Sequence, residues 1–271
     1  MLLRIAVTVL DKSPFLRRVL WRWWYGRLAK KFTQRSWTFM NYGYEPEAGG
    51  PALTLAPEDE PDRLCVQLYE EVVAGVNLSG RDVVEVGSGR GGGASYLART
   101  HHPLEMTGVD YSAAAVRLSR RMHEGVANLE FIVGDAENLP LPDASCDVLI
   151  NVESSHCYGD VERFFREAVR VLRRGGHFAY ADFRAAAEME TVGADLLTVP
   201  GWRLVECVDI TDRVVAALAR DDARKRRLIE ETVSPRLRAL FGEFAGLRGG
   251  QIHTAFQNRE MVYHRFLLQK T

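Results

Sequence analysis

The chain has 271 residues, 46% hydrophobic and 26% charged, with a formal net charge of -1. That length holds one large domain, or one domain with a helical extension, and the near-neutral charge excludes a global attraction to nucleic acid. No apolar run reaches the about 20 residues that cross a bilayer, and four cysteines without CxxC spacing read as free thiols of a reducing, cytoplasmic compartment.

Residues 1–60 read as an N-terminal helical lid segment. Its first ten residues are apolar but interrupted by Arg4 and followed by no small-residue cleavage site, so a secretory leader is not expected. Up to residue 38, nine basic side chains stand against a single acid, Asp11, with Trp21, Trp23, Trp24, Tyr25 and Trp37 among them. Such a segment either packs its aromatics on the domain or lies on an anionic membrane surface, which leaves a peripheral membrane contact open. Residues 45–71 are acid-rich and carry Pro46, Pro51, Pro57 and Pro61, an exposed connection into a helix.

Residues 61–271 form the expected main domain. Short β-branched runs alternate there with amphipathic runs, the pattern of a parallel sheet covered on both faces. Strands are expected at 82–86 (DVVEV), 106–110, 129–133, 146–151 (CDVLIN), 177–182, 203–209 and 261–269 (MVYHRFLLQ). Helices are expected at 92–99, 113–122, 161–172, 185–197, 212–220 and 223–244. Arg173-Arg174-Gly175-Gly176 reads as a helix end, basic residues and then glycines. The helical block at about 211–257 is an insert long enough to wall one side of a substrate pocket.

The sequence EVGSGRGGG, residues 85–93, sits at a strand end and opens a helix. Gly87 and Gly89 allow a tight turn and close approach of a ligand, and the helix-start amides face that ligand. The spacing Gly87-x-Gly89-x-x-Gly92 also matches the dinucleotide fingerprint, so the turn alone does not choose a cofactor. Three acids favour S-adenosylmethionine (SAM) over NAD. Glu85 suits the methionine ammonium, whereas beside a pyrophosphate it repels. Asp110 ends the second strand and suits ribose hydroxyls of either cofactor. Asp135 follows the third strand and suits the adenine amine, with Ala136 small enough for the ring to approach.

EVGSGRGGG, TGVDYS, GDAENLP and CDVLINVESSHCY, in this order, resemble the class I SAM-dependent methyltransferases over about residues 83–182. WRWWY, FMNYGYE, GRGGGASYLAR and NVESSHCY extend the likeness over nearly the whole chain, toward an actinobacterial group. That group includes phthiotriol/phenolphthiotriol dimycocerosate, fatty-acid and glycopeptidolipid O-methyltransferases. The resemblance implies a Rossmann-like α/β fold whose mostly parallel seven-stranded sheet ends in an antiparallel strand. It implies SAM as cofactor and S-adenosylhomocysteine (SAH) as product. It also implies cofactor contacts from Glu85, Gly87, Ser88, Gly89, Asp110, Asp135 and Ala136, with Tyr111 beside the adenine, Asn151 at the methionine moiety, and Tyr42 and Tyr44 in a segment that closes over the cleft. Ser88 and Arg90 depart from the motif where the class varies. The insert departs most, which puts the acceptor in doubt.

Methyl transfer from a sulfonium is an in-line displacement that needs an aligned nucleophile. An alcohol benefits from a general base, and His156, just past the fourth strand, is the candidate, with Glu153 to orient or assist it. His156 as an ordinary loop residue is the competing reading, and a carboxylate acceptor needs no base. No compact cluster with metal spacing is present, so no metal is expected. The expected reaction is O-methylation of a hydroxyl or carboxyl on a small, apolar, lipid-like or polyketide-like metabolite, without nucleic acid; a homodimer is left open. C- or N-methylation, an NAD-dependent oxidoreductase and a non-catalytic SAM-binding protein are the alternatives.

Overall fold

Seven strands form one sheet in the order β3-β2-β1-β4-β5-β7-β6. They are β1 (Asp82–Val86), β2 (Glu105–Asp110), β3 (Leu129–Val133), β4 (Cys146–Val152), β5 (Leu172–Ala185), β6 (Trp202–Asp209) and β7 (Met261–Lys270). The five strands β1 to β5 pair in parallel, and β7 runs antiparallel to both neighbours, β5 and β6. The computed structural model describes residues 27, 31–33, 37–47, 49 and 53–271. The basic, tryptophan-rich stretch, whose sequence leaves domain packing and a peripheral membrane contact both open, lies, apart from its end, outside those residues.

Eight helices accompany the sheet among the described residues: α1 (Arg63–Val72), α2 (Gly92–His101), α3 (Ala113–Met122), α4 (Val161–Val171), α5 (Ala186–Thr198), α6 (Thr211–Thr232), α7 (Arg238–Phe244) and α8 (Gln251–Gln257). Strand alternation sends Val83 to one face and Val84 and Val86 to the other. The first face packs on α1, α2, α6 and α8, through Leu68, Leu97, Leu218 and Phe256. The second packs on α4 and α5, through Phe164, Phe165, Met189 and Leu196. Burial on both faces explains why β1 and β4 read as nearly continuous apolar runs. No described helix is long and apolar enough to cross a membrane.

Two local expectations need correction. Arg173 to Gly176 do not end a helix. α4 stops at Val171, and the chain enters β5 directly, with Cys146 opposite Leu172, Val148 opposite His177 and a register shift between. An ion-pair fork holds the irregular start: Arg173 Nη1 donates to Asp82 Oδ2 (2.7 Å) and Asp147 Oδ2 (3.0 Å), at the beginnings of β1 and β4. The second correction concerns the insert. The expected break near residues 220–223 is absent, and α6 runs through it. Arg224 and Arg226 reach back one turn to Asp221 and Asp222 and stabilise the helix there. The break falls instead before Pro235, which drives Ser234 into an extended conformation, ψ 144°.

The approach of α2 to α1 leaves no room for a side chain at Gly93, where a Cβ would sit 1.9 Å from the Tyr69 ring. Gly93→Ala should lower stability by about 1–3 kcal/mol through overpacking, read as a lower urea midpoint. An unchanged midpoint would mean that the ring moves aside freely.

Candidate functional site

β1 lies between β2 and β4, and at their carboxyl ends the strand order reverses, which opens the crevice where sheets of this kind bind ligands. The glycine turn closes its floor. Gly87 and Gly89 have φ of 78° and 53°, the region that favours glycine. A Cβ on Gly87 would meet Ser154 Oγ at 2.3 Å, so the turn packs directly on the loop after β4. Asp110, at the end of β2, fixes the turn from the other side: its Oδ2 accepts from Gly89 N (2.9 Å) and its Oδ1 from Ser112 N (2.7 Å).

Ten of the twelve expected site residues line this one cleft: Tyr42, Gly87, Ser88, Gly89, Asp110, Tyr111, Asp135, Ala136, Glu153 and His156. Glu85 and Asn151 lie behind its wall, because both sit within strands, short of the turns that follow. Glu85 Oε1 accepts from the Tyr69 hydroxyl (2.5 Å), and Tyr69 itself forms part of the lining. Asn151 Nδ2 donates to Val86 O (2.8 Å), tying β4 to β1, and lies against the Ser154 and Tyr158 hydroxyls. Asp135 Oδ1 accepts from Glu137 N (3.1 Å) and shapes the turn after β3.

The described part of the N-terminal segment straps across the opening. Tyr42 N donates to Glu153 Oε1 (2.8 Å), and Tyr44 N to Leu64 O (2.9 Å). Tyr42 packs on Phe183 and Phe256, which continues the strap into the insert. Glu153 holds a left-handed backbone, φ 46°, a conformation that costs energy in any residue but glycine and is concentrated at functional sites.

Sequence reasoning missed the group that organises His156. Asp182, fully buried in β5, has Oδ1 2.9 Å from His156 Nδ1, and its Oδ2 accepts from His156 N (3.0 Å) and Ser155 Oγ (2.7 Å). Arg184, itself buried, pairs with Asp182 Oδ2 (3.1 Å) and donates to Ser155 Oγ (2.8 Å). The signal was present: parallel pairing sets Val152 opposite Ala181, so the next residue of β5 stands beside the loop that carries His156.

Burial pushes three carboxyls up, Glu85 and Glu153 to about 7 and Asp110 to about 6. Burial also raises Asp182, but Arg184 and the His156 ring outweigh it and hold that carboxyl well below the usual range. For His156, burial opposes the charged ring; the Cys157 sulfur and Asp182 outweigh it and push the ring up to about 10.

The residues fit a sulfonium amino-acid nucleoside. Glu85 Oε2 is buried without a hydrogen-bond partner among the described residues, an acceptor short of a donor, which an ammonium supplies. Asp110 and Asp135 offer acceptors for ribose hydroxyls and an exocyclic amine.

Comparison with known proteins agrees. A family described as a methyltransferase domain matches residues 84–180. The chain is 38% identical over 251 residues to the phthiotriol/phenolphthiotriol dimycocerosates methyltransferase of Mycobacterium tuberculosis, covering 93% of this chain and 92% of that one. It is 40% identical over 216 residues to the fatty-acid O-methyltransferase of Mycolicibacterium smegmatis, covering 71% and 77%. Among solved structures, the geranyl diphosphate C-methyltransferase from Streptomyces coelicolor, in complex with Mg2+, geranyl diphosphate and SAH, superposes with a TM-score of 0.67 at 15% identity over 92% of this chain and 98% of that one. A putative sarcosine dimethylglycine methyltransferase from Galdieria sulphuraria gives 0.69 at 16%, over 90% and 98%.

The raised carboxyls set a pH dependence. Glu85 and Asp110 titrate near 4.5 and 3.8 when unperturbed, and at about 7 and 6 in the fold. Between those values the folded chain binds more protons than the unfolded one, so their contribution to ligand-free stability falls as pH rises through the window. Glu85→Gln carries no charge to desolvate. It should raise the ligand-free thermal midpoint at alkaline pH while weakening SAH binding. A lower midpoint, or unweakened binding, would contradict the role of this buried charge.

Proposed function

Because this chain belongs to the SAM-dependent methyltransferase family that includes the mycobacterial phthiotriol/phenolphthiotriol dimycocerosates methyltransferases, we propose that it O-methylates a hydroxyl or carboxyl of a lipid-like acceptor. The observation that carries this reading is a polar pair set in an apolar wall. His156, held by Asp182 at 2.9 Å, packs 4.5 Å from the Phe183 ring, and Tyr42 and Phe244 line the same cleft. Apolar walls with a few convergent polar groups suit an acceptor that is mostly hydrocarbon and carries one oxygen to be methylated. The relatives named for dimycocerosates and for fatty acids support the same class.

In this reading Glu85, Asp110 and Asp135 hold the ammonium, ribose and adenine of the cofactor. Gly87, Ser88, Gly89, Tyr111 and Ala136 shape its bed, Asn151 braces the turn, and Tyr42 covers it. The bound sulfonium supplies an already activated methyl group. His156 and Glu153 handle the acceptor proton. Asp182 accepts from Nδ1, which fixes the orientation of the ring. With the ring raised to about 10, its neutral, proton-accepting form grows as pH rises. Glu153, at about 7, becomes competent at lower pH.

Incubation with methyl-labelled SAM and long-chain acids or hydroxylated lipids should yield a labelled ester or ether; label on carbon or nitrogen alone would refute the reading. With a hydroxyl acceptor, the pH profile of turnover separates the two bases. His156→Gln should lower kcat by about 10²–10⁴-fold, leave SAH affinity intact and abolish the alkaline limb. Glu153→Gln should remove only the limb near 7. Undiminished turnover in both variants would take them out of the reaction.

A further inference from the structure

A second cavity lies behind the strap. Met40, Asn41, Tyr42 and Phe244 line both this cavity and the cofactor cleft, so one thickness of chain separates the two. One wall is α6, which contributes Lys225, Leu228, Ile229 and Thr232. Their spacing of three, four and seven residues from the lysine places them on one face of the helix, in a row about 10 Å long. Lys225 heads that row and is 9% exposed, and the next two members are apolar.

The Lys225 ammonium has three N–H donors. One donates to Ala245 O at 3.3 Å, at the carboxyl end of α7. Among the described residues no carboxylate stands within hydrogen-bond distance of it. Asp221 Oδ2 is 4.0 Å away, and both Asp221 oxygens are taken by Arg224, at 2.6 and 2.7 Å. Arg224 also donates to Asp62 at 2.9 Å, so that cation is fully matched. The Tyr42 ring, in the partition from the cleft, lies 5.8 Å from the Lys225 Nζ. Burial lowers the pKa of this amine. A buried ammonium with donors left over is costly unless an anion completes it.

We propose that this cavity binds an aliphatic carboxylic acid, its carboxylate on Lys225 and its chain along Leu228, Ile229 and Phe244. Charge and shape together select that class. A neutral chain leaves the ammonium unmatched, and a small polar anion leaves the apolar row unfilled. The carboxylate end lies beside Tyr42, next to the cofactor cleft. Ile229 and Phe241, toward the other end, belong to a separate apolar cluster. The site deepens the reading of a lipid-like acceptor and rests on that reading only for the identity of its ligand as the acceptor. The competing explanation makes Lys225 a cap on α7, whose carboxyl end favours a cation. A cap accounts for the bond to Ala245 and gives no preference between an acid and an alcohol.

The test varies protein and ligand together. Intact protein saturated with SAH is titrated calorimetrically with decanoate and with decanol, which share a chain length and differ in charge. The wild type should bind decanoate more tightly than decanol by about tenfold or more, the range for a charge-assisted hydrogen bond. Lys225→Met should weaken decanoate by the same factor and leave decanol unchanged. Leu228→Trp, which fills the apolar row, should weaken both. No preference in the wild type, or undiminished decanoate affinity in either variant, would overturn the proposal. Equal losses for both ligands in Lys225→Met would also overturn it and assign the lysine to the cap on α7. Should Lys225→Met fail to fold, the wild-type preference and Leu228→Trp decide alone. The readout is binding, so the site and the proposed reaction fail separately. A protein that methylates a hydroxylated lipid without binding decanoate loses the site and keeps the reaction. One that binds decanoate and labels only carbon or nitrogen keeps the site and loses the reaction.

Discussion

One carboxylate holds the turn on which the cleft depends. Asp110 accepts from the Gly89 and Ser112 amides, so the end of β2 grips both the glycine turn after β1 and the start of α3. Ser112 in turn caps α3 through its hydroxyl, which accepts from Ala115 N (3.3 Å). Gly87 and Ser88 also donate to Val109 O, the neighbouring residue of β2, so the end of that strand holds the turn at three amides. With the turn fixed, α2 begins where its amides face the crevice, and the Ser154 loop packs against Gly87 without space for a side chain.

Electrostatics gives this arrangement its character. Burial pushes the Glu85 and Asp110 carboxyls up, so their charged forms are costly in the fold. In the proposed reading the ligand's ammonium offsets that cost at Glu85, so affinity and ligand-free stability pull in opposite directions there. The second cluster works differently. Asp182 is fully buried, but Arg184, Ser155 and the His156 ring already satisfy it. Its role is to aim an imidazole at the cleft. Tyr42, on the strap, donates to Glu153 and so ties the N-terminal segment to the loop that carries His156.

The sequence disclosed the sheet because its strands are buried on both faces and so appear as uninterrupted apolar runs. It also placed glycines and acids within a few residues of each other at strand ends, and most of these line one cleft. Tertiary pairings were harder to see. Arg173 looked like a helix end because its partners, Asp82 and Asp147, are far away in sequence and appear only once β1 and β4 lie side by side. Asp182 looked like the end of a strand for the same reason; only the register of β4 with β5 brings it to His156. Tyr69, which bonds Glu85, lies on a helix whose approach is set by the missing side chain at Gly93.

In the proposed reading the Asp110 carboxylate both pins the glycine turn and receives the ribose. Calorimetric titration with SAH of wild-type protein and of Asp110→Ala measures this directly. One binding site per chain in the wild type, with heat lost or affinity reduced by about a hundredfold or more in the variant, is the predicted result, since two charged hydrogen-bonding tasks vanish together. Equal affinity in both proteins would contradict it.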